Sequence, residues 1–405
     1  MSSANAESAM LTRRILALFV SFILLVTHDS AAQTKELSSI QFLEKKTREL
    51  INGCRTKAHG GTILFTPDGK AHYAALWTRD FAYMVEHAGD LMSLDEIRAA
   101  LVYILRKPRA DGAIPDRVQP DGLAVYVGGP VHAPLGEANL DNPMFLVIAV
   151  DEFLKRTTRK ERETFFNEWN GVLDRGMDWV PRSEFGLVYN NPDKPHSPYG
   201  FTDTVGKTGE LFFESLLYWT ACQRLAKLHR SFGDRKKASA YKARAELIEK
   251  NIKRIFDEKS GAFWAASKDC RQIDIWGNAY ALYLKFPLGR DRPRVEDFLV
   301  SNFDQFVWRG QVRHLLAGEY WQRMLAPVER ERYQNGAYWS TATGWMMIAL
   351  HPKRPDLAQK MFDEMIADFR QNGVFECVNK DYRQLDSYVV SATNPMSAAR
   401  KLKFK

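Results

Sequence analysis

Acidic, amide and aromatic side chains recur together in several short stretches of this sequence. Trp and Tyr rings can stack on the C–H faces of a sugar, and Asp, Asn, Arg and Gln can bind its hydroxyl groups. Cleavage of a glycosidic bond also takes two carboxyl groups, one protonated to assist the leaving oxygen and one ionised to activate water or attack. The stretches therefore indicate carbohydrate chemistry. They are residues 77–80, 140–143, 199–203, 318–321, 334–339 and 375–376.

Asp203 stands in a polar loop that leads without a break into a predicted helix over residues 208–228. Apolar positions on one face of that helix recur at three- and four-residue intervals, which is typical of burial. A buried helix can hold the preceding carboxylate rigidly for a ligand. Asp203 is therefore a candidate catalytic acid, and the alternative is a helix cap, since Asp commonly caps helices. The positions on the buried face are Leu211, Phe212, Ser215, Leu216, Trp219 and Cys222.

Glu376 is the second candidate carboxylate. It follows a predicted helix end at Asn372-Gly373, and its neighbours Val374 and Phe375 are apolar. Apolar neighbours shield a carboxyl group from water and raise its pKa, as acid–base chemistry requires. The alternative is a solvated carboxylate in a loop.

Helical periodicity dominates the rest of the chain and predicts about twelve helices, which fall into pairs. Strand signals are few, short and confined to the connections. A closed ring of helical hairpins accounts for this pattern, and a solenoid of helix pairs is the alternative, although it would show regular repeats. The predicted helices span residues 39–52, 81–87, 95–106, 143–155, 159–180, 208–228, 235–256, 273–283, 295–303, 321–325, 337–351 and 355–371.

The motifs, taken in order, resemble those of the six-hairpin glycosidases, which are all-α proteins with an (α/α)6 barrel. Within that superfamily the order is most similar to the trehalases and processing α-glucosidases. The resemblance covers nearly the whole mature chain. The motifs are Trp-Thr-Arg-Asp80, Gly-Ala-Ile-Pro-Asp116, Gly-Phe-Thr-Asp203, Asp274-Ile-Trp-Gly-Asn-Ala-Tyr280, Gln-Asn-Gly-Ala-Tyr-Trp339 and Phe-Glu376.

The resemblance implies roles for the two carboxylates. The family has a general acid in a loop before a long helix and a general base near the C-terminus, and Asp203 and Glu376 match these positions. It implies inversion of configuration, with the carboxyl groups roughly 6.5–9.5 Å apart to admit a water. The loop of Asp203 is one residue longer than the family motif and lacks its Trp, so Glu210 is the alternative acid. After Glu376 the chain reads Cys-Val-Asn379 in place of a Tyr-containing run, which leaves the substrate open.

The resemblance also implies a set of sugar-binding residues. Asp80, which follows Trp77, matches the position where the family grips the terminal sugar, and an ion pair of Arg79 with Asp80 inside the protein is the alternative. The complete predicted binding set is Trp77, Arg79, Asp80, Asp116, Asp141, Asn142, Glu210, Gln334, Asn335 and Trp339.

No metal or organic cofactor is expected, because two carboxylates and a water complete the hydrolysis. The nine histidines and four cysteines show no metal-ligand spacing. We expect His132 and His314 at the surface. The cysteines allow three disulfide pairings, and Cys222, on the apolar face of a helix, is a candidate free thiol.

The first 32 residues have the features of a secretory signal peptide. Arg13 and Arg14 precede an apolar run over residues 15–26, and small residues end at Ala32. The run is shorter than the roughly 20 residues of a membrane-spanning helix. We therefore predict cleavage near Ala32, a secreted or periplasmic protein without an integral membrane segment, and one barrel domain over residues 33–405. An uncleaved anchor is the alternative.

The formal net charge of +8 is scattered along the 405 residues, without the clustered Arg, Lys and aromatic residues of a nucleic-acid surface. The predicted function is hydrolysis of an α-glucoside-like glycoside or oligosaccharide. One alternative is a uronide hydrolase, epimerase or lyase on the same barrel, which several Arg or Lys in the pocket would favour. The other is an inactive sugar-binding protein, which applies if Asp203 and Glu376 do not share a cavity.

Overall fold

The computed structural model describes residues 37–131 and 133–405, and thirteen α-helices account for nearly half of them. The predicted signal peptide lies outside these residues. In chain order the helices are α1 (Ser39–Gly53), α2 (Thr78–Ala88), α3 (Leu94–Leu105), α4 (Asn142–Leu154), α5 (Arg159–Trp179), α6 (Phe212–Ser231), α7 (Arg235–Asn251), α8 (Ile275–Tyr283), α9 (Arg292–Ser301), α10 (Phe303–Phe306), α11 (Thr343–Leu350), α12 (Pro355–Asn372) and α13 (Val390–Leu402).

Six of these helices form a closed inner ring. Helix α2 packs on α4, α4 on α6, α6 on α8, α8 on α11, α11 on α13, and α13 returns to α2. Around them lies an outer set in which α3 and α5 pack on α4, α7 on α6, α9 on α8, α12 on α11 and α1 on α13. The architecture is therefore the predicted (α/α)6 barrel, and not a solenoid.

The two sets of helices differ in sequence as their positions require. Inner helix α4 is buried at twelve of its thirteen residues, because it contacts other helices on every side. Outer helix α7 is buried only at Ala238, Tyr241, Ala245 and Ile248, the three- and four-residue spacing of a single face. The closed core explains why the inner helices read as apolar all round.

Short strands join the helices in six small antiparallel sheets. They confirm that strand structure is confined to the connections. The strands are β1 (Arg55–Lys57), β2 (Ile63–Phe65), β3 (Leu76–Trp77), β4 (Arg117–Val118), β5 (Ala124–Val125), β6 (Tyr189–Asn190), β7 (Gly209–Glu210), β8 (Phe256–Asp257), β9 (Ala262–Phe263), β10 (Val307–Trp308), β11 (Gln311–Val312), β12 (Phe375–Asn379) and β13 (Tyr382–Asp386).

Several details of the helix prediction were wrong. Helix α10 was not predicted, and α11 begins at Thr343 and not at residue 337. Residues 321–325 are a loop, and residues 209–210 form strand β7, so that α6 begins only at Phe212. Helix α13 was missed because Pro395 lies inside it and proline usually ends a helix. Packing of α13 against α2 and α11 compensates for the lost backbone hydrogen bond.

The cysteine and histidine predictions have mixed outcomes. All four cysteines are buried free thiols, which confirms Cys222 and leaves none of the three disulfide pairings formed. His314 is buried, with its ring centroid 3.9 Å from that of Trp276, so its placement at the surface was wrong. His132 lies outside the described residues. In the part of the chain that the structure covers, no helix is long and apolar enough to cross a membrane.

Candidate active site

A cavity of about 610 Å³ opens at the end of the barrel where inner helices α2, α6 and α13 begin. Its volume falls within the range of small-molecule sites. Three carboxylates from distant parts of the chain line it, namely Asp80, Asp203 and Glu376. The other lining residues include Pro67, His72, Tyr73, Ala74, Ala75, Trp77, Arg79, Arg117, Gln119, Gly129, Pro130, Leu135, Gly200, Phe201, Thr204, Tyr333, Gln384 and Tyr388.

Asp203 ends a short 3-10 turn (Gly200–Thr202) and does not cap helix α6, whose N-cap residue is Leu211. Its Oδ1 atom accepts a hydrogen bond of 2.7 Å from Nε2 of Gln334. Burial raises the pKa of Asp203 to about 7, and the bond from Gln334 opposes that rise. A carboxyl group with this pKa is partly protonated at neutral pH, as a general acid must be.

Glu376 lies on strand β12 and is buried. The hydroxyl group of Tyr73 donates to its carboxylate, at 3.2 Å from Oε1 and 3.4 Å from Oε2. Burial is the main cause that raises the pKa of Glu376 well above its ordinary value, and the charges of Asp80 and Asp203 raise it further. The hydrogen bond from Tyr73 acts in the opposite direction and stabilises the ionised form.

Asp80, in the first turn of helix α2, is the third carboxylate of the cavity. The hydroxyl group of Tyr388 donates to its Oδ1 atom. Burial raises the pKa of Asp80 to about 6, against the attraction of Arg79 and the bond from Tyr388. The group therefore stays largely ionised at neutral pH and can accept hydrogen bonds from a ligand.

Arg79 is held by acidic residues behind the cavity wall. Its Nε donates to Asp141 Oδ2 at 2.8 Å, and its Nη2 donates to Asp116 Oδ1 at 2.8 Å and to Asn142 Oδ1 at 3.4 Å. Among the described residues its Nη1 has no hydrogen-bond partner, so this side of the guanidinium group is available to the cavity. The predicted alternative, a pair of Arg79 with Asp80, is thus replaced by pairs with Asp116 and Asp141.

Gly200 is required beside this arginine. A methyl group at Gly200 would stand 1.9 Å from Nε and Cζ of Arg79. The backbone N–H of Gly200 donates to Asp141 Oδ2 at 2.9 Å. The loop of Asp203 is therefore fixed to the arginine cluster (Arg79 with Asp116 and Asp141) by a close approach that only glycine allows.

The charges around the cavity leave it acidic. Arg117 lines the cavity beside Arg79, and its Nη1 donates to Asp116 Oδ2 at 2.9 Å. The buried carboxylates of Asp116 and Asp141 thus balance the two guanidinium groups. Asp80 adds a largely ionised carboxylate, and Asp203 and Glu376 add carboxyl groups of raised pKa, so no excess of positive charge is left for an anionic ligand.

Several predicted binding residues do not line the cavity. Glu210 pairs with Arg254 at 3.1 Å and accepts from Ser183 at 3.0 Å, on strand β7. Asn335 accepts from the backbone N–H of Trp321 and donates to a backbone carbonyl. Trp339 is fully buried in the core, and Gln334 contacts only other parts of the protein. Asp116, Asp141 and Asn142 support Arg79 from behind.

Sequence reasoning missed most of the other cavity residues, among them Tyr73, Arg117, Tyr333 and Tyr388. Tyr333 has a φ angle of +41°, which is rare outside glycine and often marks a functional site. Its hydroxyl group is coupled electrostatically to both Glu376 and Asp203. A tyrosine beside Gln334 was visible in the sequence, but its unusual backbone was not.

Metal binding has no basis in the described residues, where no group of three or more His, Cys, Asp and Glu side chains is arranged to hold an ion. The carboxylates of the cavity instead contact tyrosine hydroxyls and an amide. This arrangement can keep a proton on one carboxyl group of the cavity while another is ionised.

The fold is shared with solved glycosidase structures. A GH63 mannosylglycerate hydrolase from Thermus thermophilus, in complex with Tris, matches with a TM-score of 0.62 and 13% identity, over 88% of this chain and 99% of that one. A rhamnosidase from Klebsiella oxytoca with rhamnose bound matches with a TM-score of 0.62 and 13% identity, over 92% of this chain but only 65% of the rhamnosidase. An uncharacterized conserved protein from Thermus thermophilus matches similarly, at 12% identity with a TM-score of 0.62 and coverage of 88% and 99%.

A GH78 rhamnosidase from Bacillus also matches, with a TM-score of 0.59 and 12% identity, over 90% of this chain and 35% of that one. These likenesses establish the fold class, because GH63 mannosylglycerate hydrolase and GH78 rhamnosidase are (α/α)6-barrel glycosidases. At 12–14% identity they carry no assignment of activity. No protein-family model matches the chain, and no curated protein matches its sequence. The particular resemblance to trehalases stays a prediction.

Proposed function

We propose that this protein is an inverting glycoside hydrolase that acts on a neutral, α-linked sugar. The observation that carries the proposal is the meeting of Asp203 and Glu376 in one cavity, although 173 positions separate them in the sequence. Both carboxyl groups have raised pKa values through burial, which acid–base catalysis requires. Their common cavity also argues against an inactive protein whose two carboxylates do not meet.

Asp203 is the proposed acid and Glu376 the proposed base. Asp203 gives its proton to the glycosidic oxygen while the bond from that oxygen to the anomeric carbon breaks. Glu376 takes a proton from a water molecule, whose oxygen forms the new bond on the opposite face of the sugar. One proton thus enters the site from water, another leaves with the alcohol, and the configuration inverts.

The protonation states decide which group acts as the acid. Glu376 interacts with the charges of both Asp80 and Asp203, so the protonation of one group affects that of its neighbours. The hydroxyl of Tyr73 donates to both oxygens of Glu376 and so favours the ionised form that a base needs. If Glu376 instead kept its proton while Asp203 ionised, the two roles would be exchanged, and the experiment below distinguishes these cases.

A neutral glycone fits the charge of the site better than a uronate. Arg79 and Arg117 are balanced by buried aspartates, so no unpaired cation is left for a sugar carboxylate among the described residues that line the cavity. Asp80 and Nη1 of Arg79 would bind the glycone hydroxyls, and Trp77 would stack on a sugar face. The neighbouring structures named as a mannosylglycerate hydrolase and a rhamnosidase support testing α-mannosides and α-rhamnosides beside α-glucosides.

The proposed location is outside the cytoplasm. The basic start, the apolar run and the small residues before Ala32 support export with cleavage there. N-terminal sequencing of the protein from the medium or periplasm of its host would test this, and a mature N-terminus upstream of the apolar run would contradict it.

The deciding experiment is hydrolysis of a panel of α-glycosides by the parent protein, Asp203→Asn and Glu376→Gln. We expect both variants to lose at least about 10²-fold in kcat/KM on alkyl glycosides, the lower limit for a positioned acid or base. Glu210→Gln is the matched control, because this carboxylate lies outside the cavity, and it should retain activity. Absence of turnover of every neutral sugar would refute the proposal.

Leaving groups and product stereochemistry assign the individual roles. A glycoside whose leaving group is already acidic needs no proton, so Asp203→Asn should recover most activity on a dinitrophenyl glycoside while Glu376→Gln should not. The reverse pattern would exchange the roles. NMR of the first product anomer should show inversion, and a retained configuration would contradict the proposed base.

A further inference from the structure

Gln334 connects the loop of Asp203 to the segment before helix α11. It is fully buried, and all of its polar side-chain partners in the described structure belong to residues 200–204. Its Oε1 accepts from the backbone N–H of Thr204 at 2.9 Å and from the hydroxyl of Thr204 at 2.6 Å. Its Nε2 donates to Asp203 Oδ1 at 2.7 Å and to the carbonyl of Gly200 at 3.1 Å.

The orientation of this amide is not a free choice. A backbone N–H is always a donor, so the atom of Gln334 that faces the N–H of Thr204 must be the oxygen. The nitrogen is then the atom that faces Asp203 and the carbonyl of Gly200, and both of these can accept its hydrogens. If the amide were flipped, its nitrogen would face the backbone N–H of Thr204, which is also a donor. Its oxygen would face Asp203 and the carbonyl of Gly200, which are acceptors.

We propose that Gln334 is a positioning residue that fixes which oxygen of Asp203 carries the catalytic proton, and that it does not bind substrate. This inference rests on the proposed function and deepens it. Because Nε2–H occupies Oδ1 as an acceptor, a proton on Asp203 is directed to Oδ2. Within the described structure Oδ2 has no hydrogen-bond partner, and Asp203 lines the cavity, so that proton is available to a glycosidic oxygen.

Gln334 is one of several groups that act on Asp203. A change at Gln334 leaves the others in place, which makes its contribution separable. The charges of one arginine and its two aspartates act on Asp203, and a second carboxylate and two tyrosines interact with its charge. These groups are Arg79, Asp116, Asp141, Glu376, Tyr73 and Tyr333.

The test replaces the donor while keeping the shape. Gln334→Glu retains the oxygen that Thr204 binds and puts an oxygen where Nε2 donated. Asp203 then loses its amide donor, and the two adjacent carboxyl groups share one proton, so the upper of their two pKa values should rise from about 7 to roughly 8 or higher. Thr204→Val, which removes one of the two donors to Oε1 and keeps the backbone N–H, should raise that pKa by less.

A matched control exists at Gln311. This buried glutamine also donates through Nε2 to an aspartate, Asp368, at 3.0 Å, but neither residue lines the cavity. Gln311→Glu therefore makes the same chemical change at a buried glutamine–aspartate pair away from the cavity. It should leave the pKa of Asp203 and the pH dependence of activity unchanged.

Two measurements separate the outcomes. Carbon NMR of the full chain with 13C-carboxyl aspartate follows the titration of Asp203 without any substrate, and Asp203→Asn assigns its signal. In parallel, the alkaline limb of kcat/KM should move up by about one pH unit in Gln334→Glu, with a loss of up to about 10²-fold at the optimum.

Other results would overturn the inference. An unchanged Asp203 titration in Gln334→Glu would refute it even if the protein is an active glycosidase. A rise in KM with an unchanged pH profile would instead make Gln334 a substrate-binding residue. If no glycoside is turned over, the NMR titration still decides whether Gln334 controls the proton of Asp203, so the two failures are distinguishable. Should Gln334→Glu fail to fold, Thr204→Val must give the smaller rise, and its absence would refute the inference.

Discussion

Replacing Gly200 by alanine should disrupt the site through a single methyl group. That methyl would stand 1.9 Å from both Nε and Cζ of Arg79, where ordinary contact is about 3.5 Å. The backbone angles of Gly200 are ones that alanine tolerates, so the clash alone causes the effect. Either Arg79 or the loop of Asp203 must move by more than an ångström.

The magnitude follows from what moves. If Arg79 moves, its 2.8 Å bonds to Asp141 and Asp116 break inside the protein, and disruption of a buried ion pair costs about 3–5 kcal/mol. If the loop moves, Asp203 is displaced, and an error of about 1 Å in a catalytic group costs on the order of 10² in rate. We expect at least one of these losses in full.

Denaturant unfolding and glycoside kinetics would measure the two losses separately. Gly171→Ala in helix α5 is the control, because its methyl meets only Arg175 at 3.7 Å and should stabilise the helix by about 0.5–1 kcal/mol. In an Arg79→Ala background the methyl has room, so Gly200→Ala should then add less than about 0.5 kcal/mol.

The reasoning would be refuted by a Gly200→Ala protein that unfolds at the parent denaturant concentration with parent kinetics. It would also be refuted if the cost persisted in the Arg79→Ala background, since the clash with the guanidinium group would then not be its source. Either result would mean that Arg79 does not occupy the space beside Gly200 in solution.

Three further perturbations test the electrostatics. Burial raises the pKa of Asp203 from 3.8 to about 7, so the folded state keeps a proton that the unfolded chain releases. In thermal unfolding, Asp203→Asn should therefore gain stability over the parent as pH rises between these values, by at most about 4 kcal/mol at pH 8. An unchanged difference in stability would contradict the burial of this carboxyl group. Tyr388→Phe should raise the pKa of Asp80 above about 6 and weaken binding of a neutral sugar inhibitor near that pH. Calorimetry at pH 5.5 and 8 would measure the binding. Equal losses of affinity at both pH values would exclude a role for the proton on Asp80. Lys207 and Glu214 form a buried ion pair of 2.7 Å. Lys207→Met should cost about 3–5 kcal/mol in denaturant unfolding because it leaves Glu214 unpaired, and adding Glu214→Leu should recover most of that loss.

The candidate catalytic pair could be selected from the sequence because each residue has a local signature. Asp203 precedes a helix with a recognisable buried face, and Glu376 sits among apolar neighbours. Their roles as acid and base came from the resemblance of the motif order to the six-hairpin glycosidases. Helix α7 was predictable for the same local reason, whereas α13 was not, because the local rule for Pro395 was overridden by packing against the ring.

The binding residues were less accessible to sequence reasoning. Gln334 and Glu210 are both polar residues in motif-rich loops, and nothing local separates them. The structure turns Gln334 onto Asp203 and pairs Glu210 with Arg254 away from the cavity. Tyr73 and Tyr388 approach the carboxylates from segments more than 300 positions away in the chain, which no local pattern encodes.

The sequence by itself determined the type of most of the main elements, although it missed the inner helix α13. Hydrophobic periodicity is a local property, and it distinguishes inner helices that are apolar all round from outer helices with one apolar face. Only the tertiary structure decided which loops meet over the cavity, because α13 must return to α2 before Glu376 can face Asp203. The protonation of these groups was likewise decided there, since burial and neighbouring charge depend on contacts between distant residues.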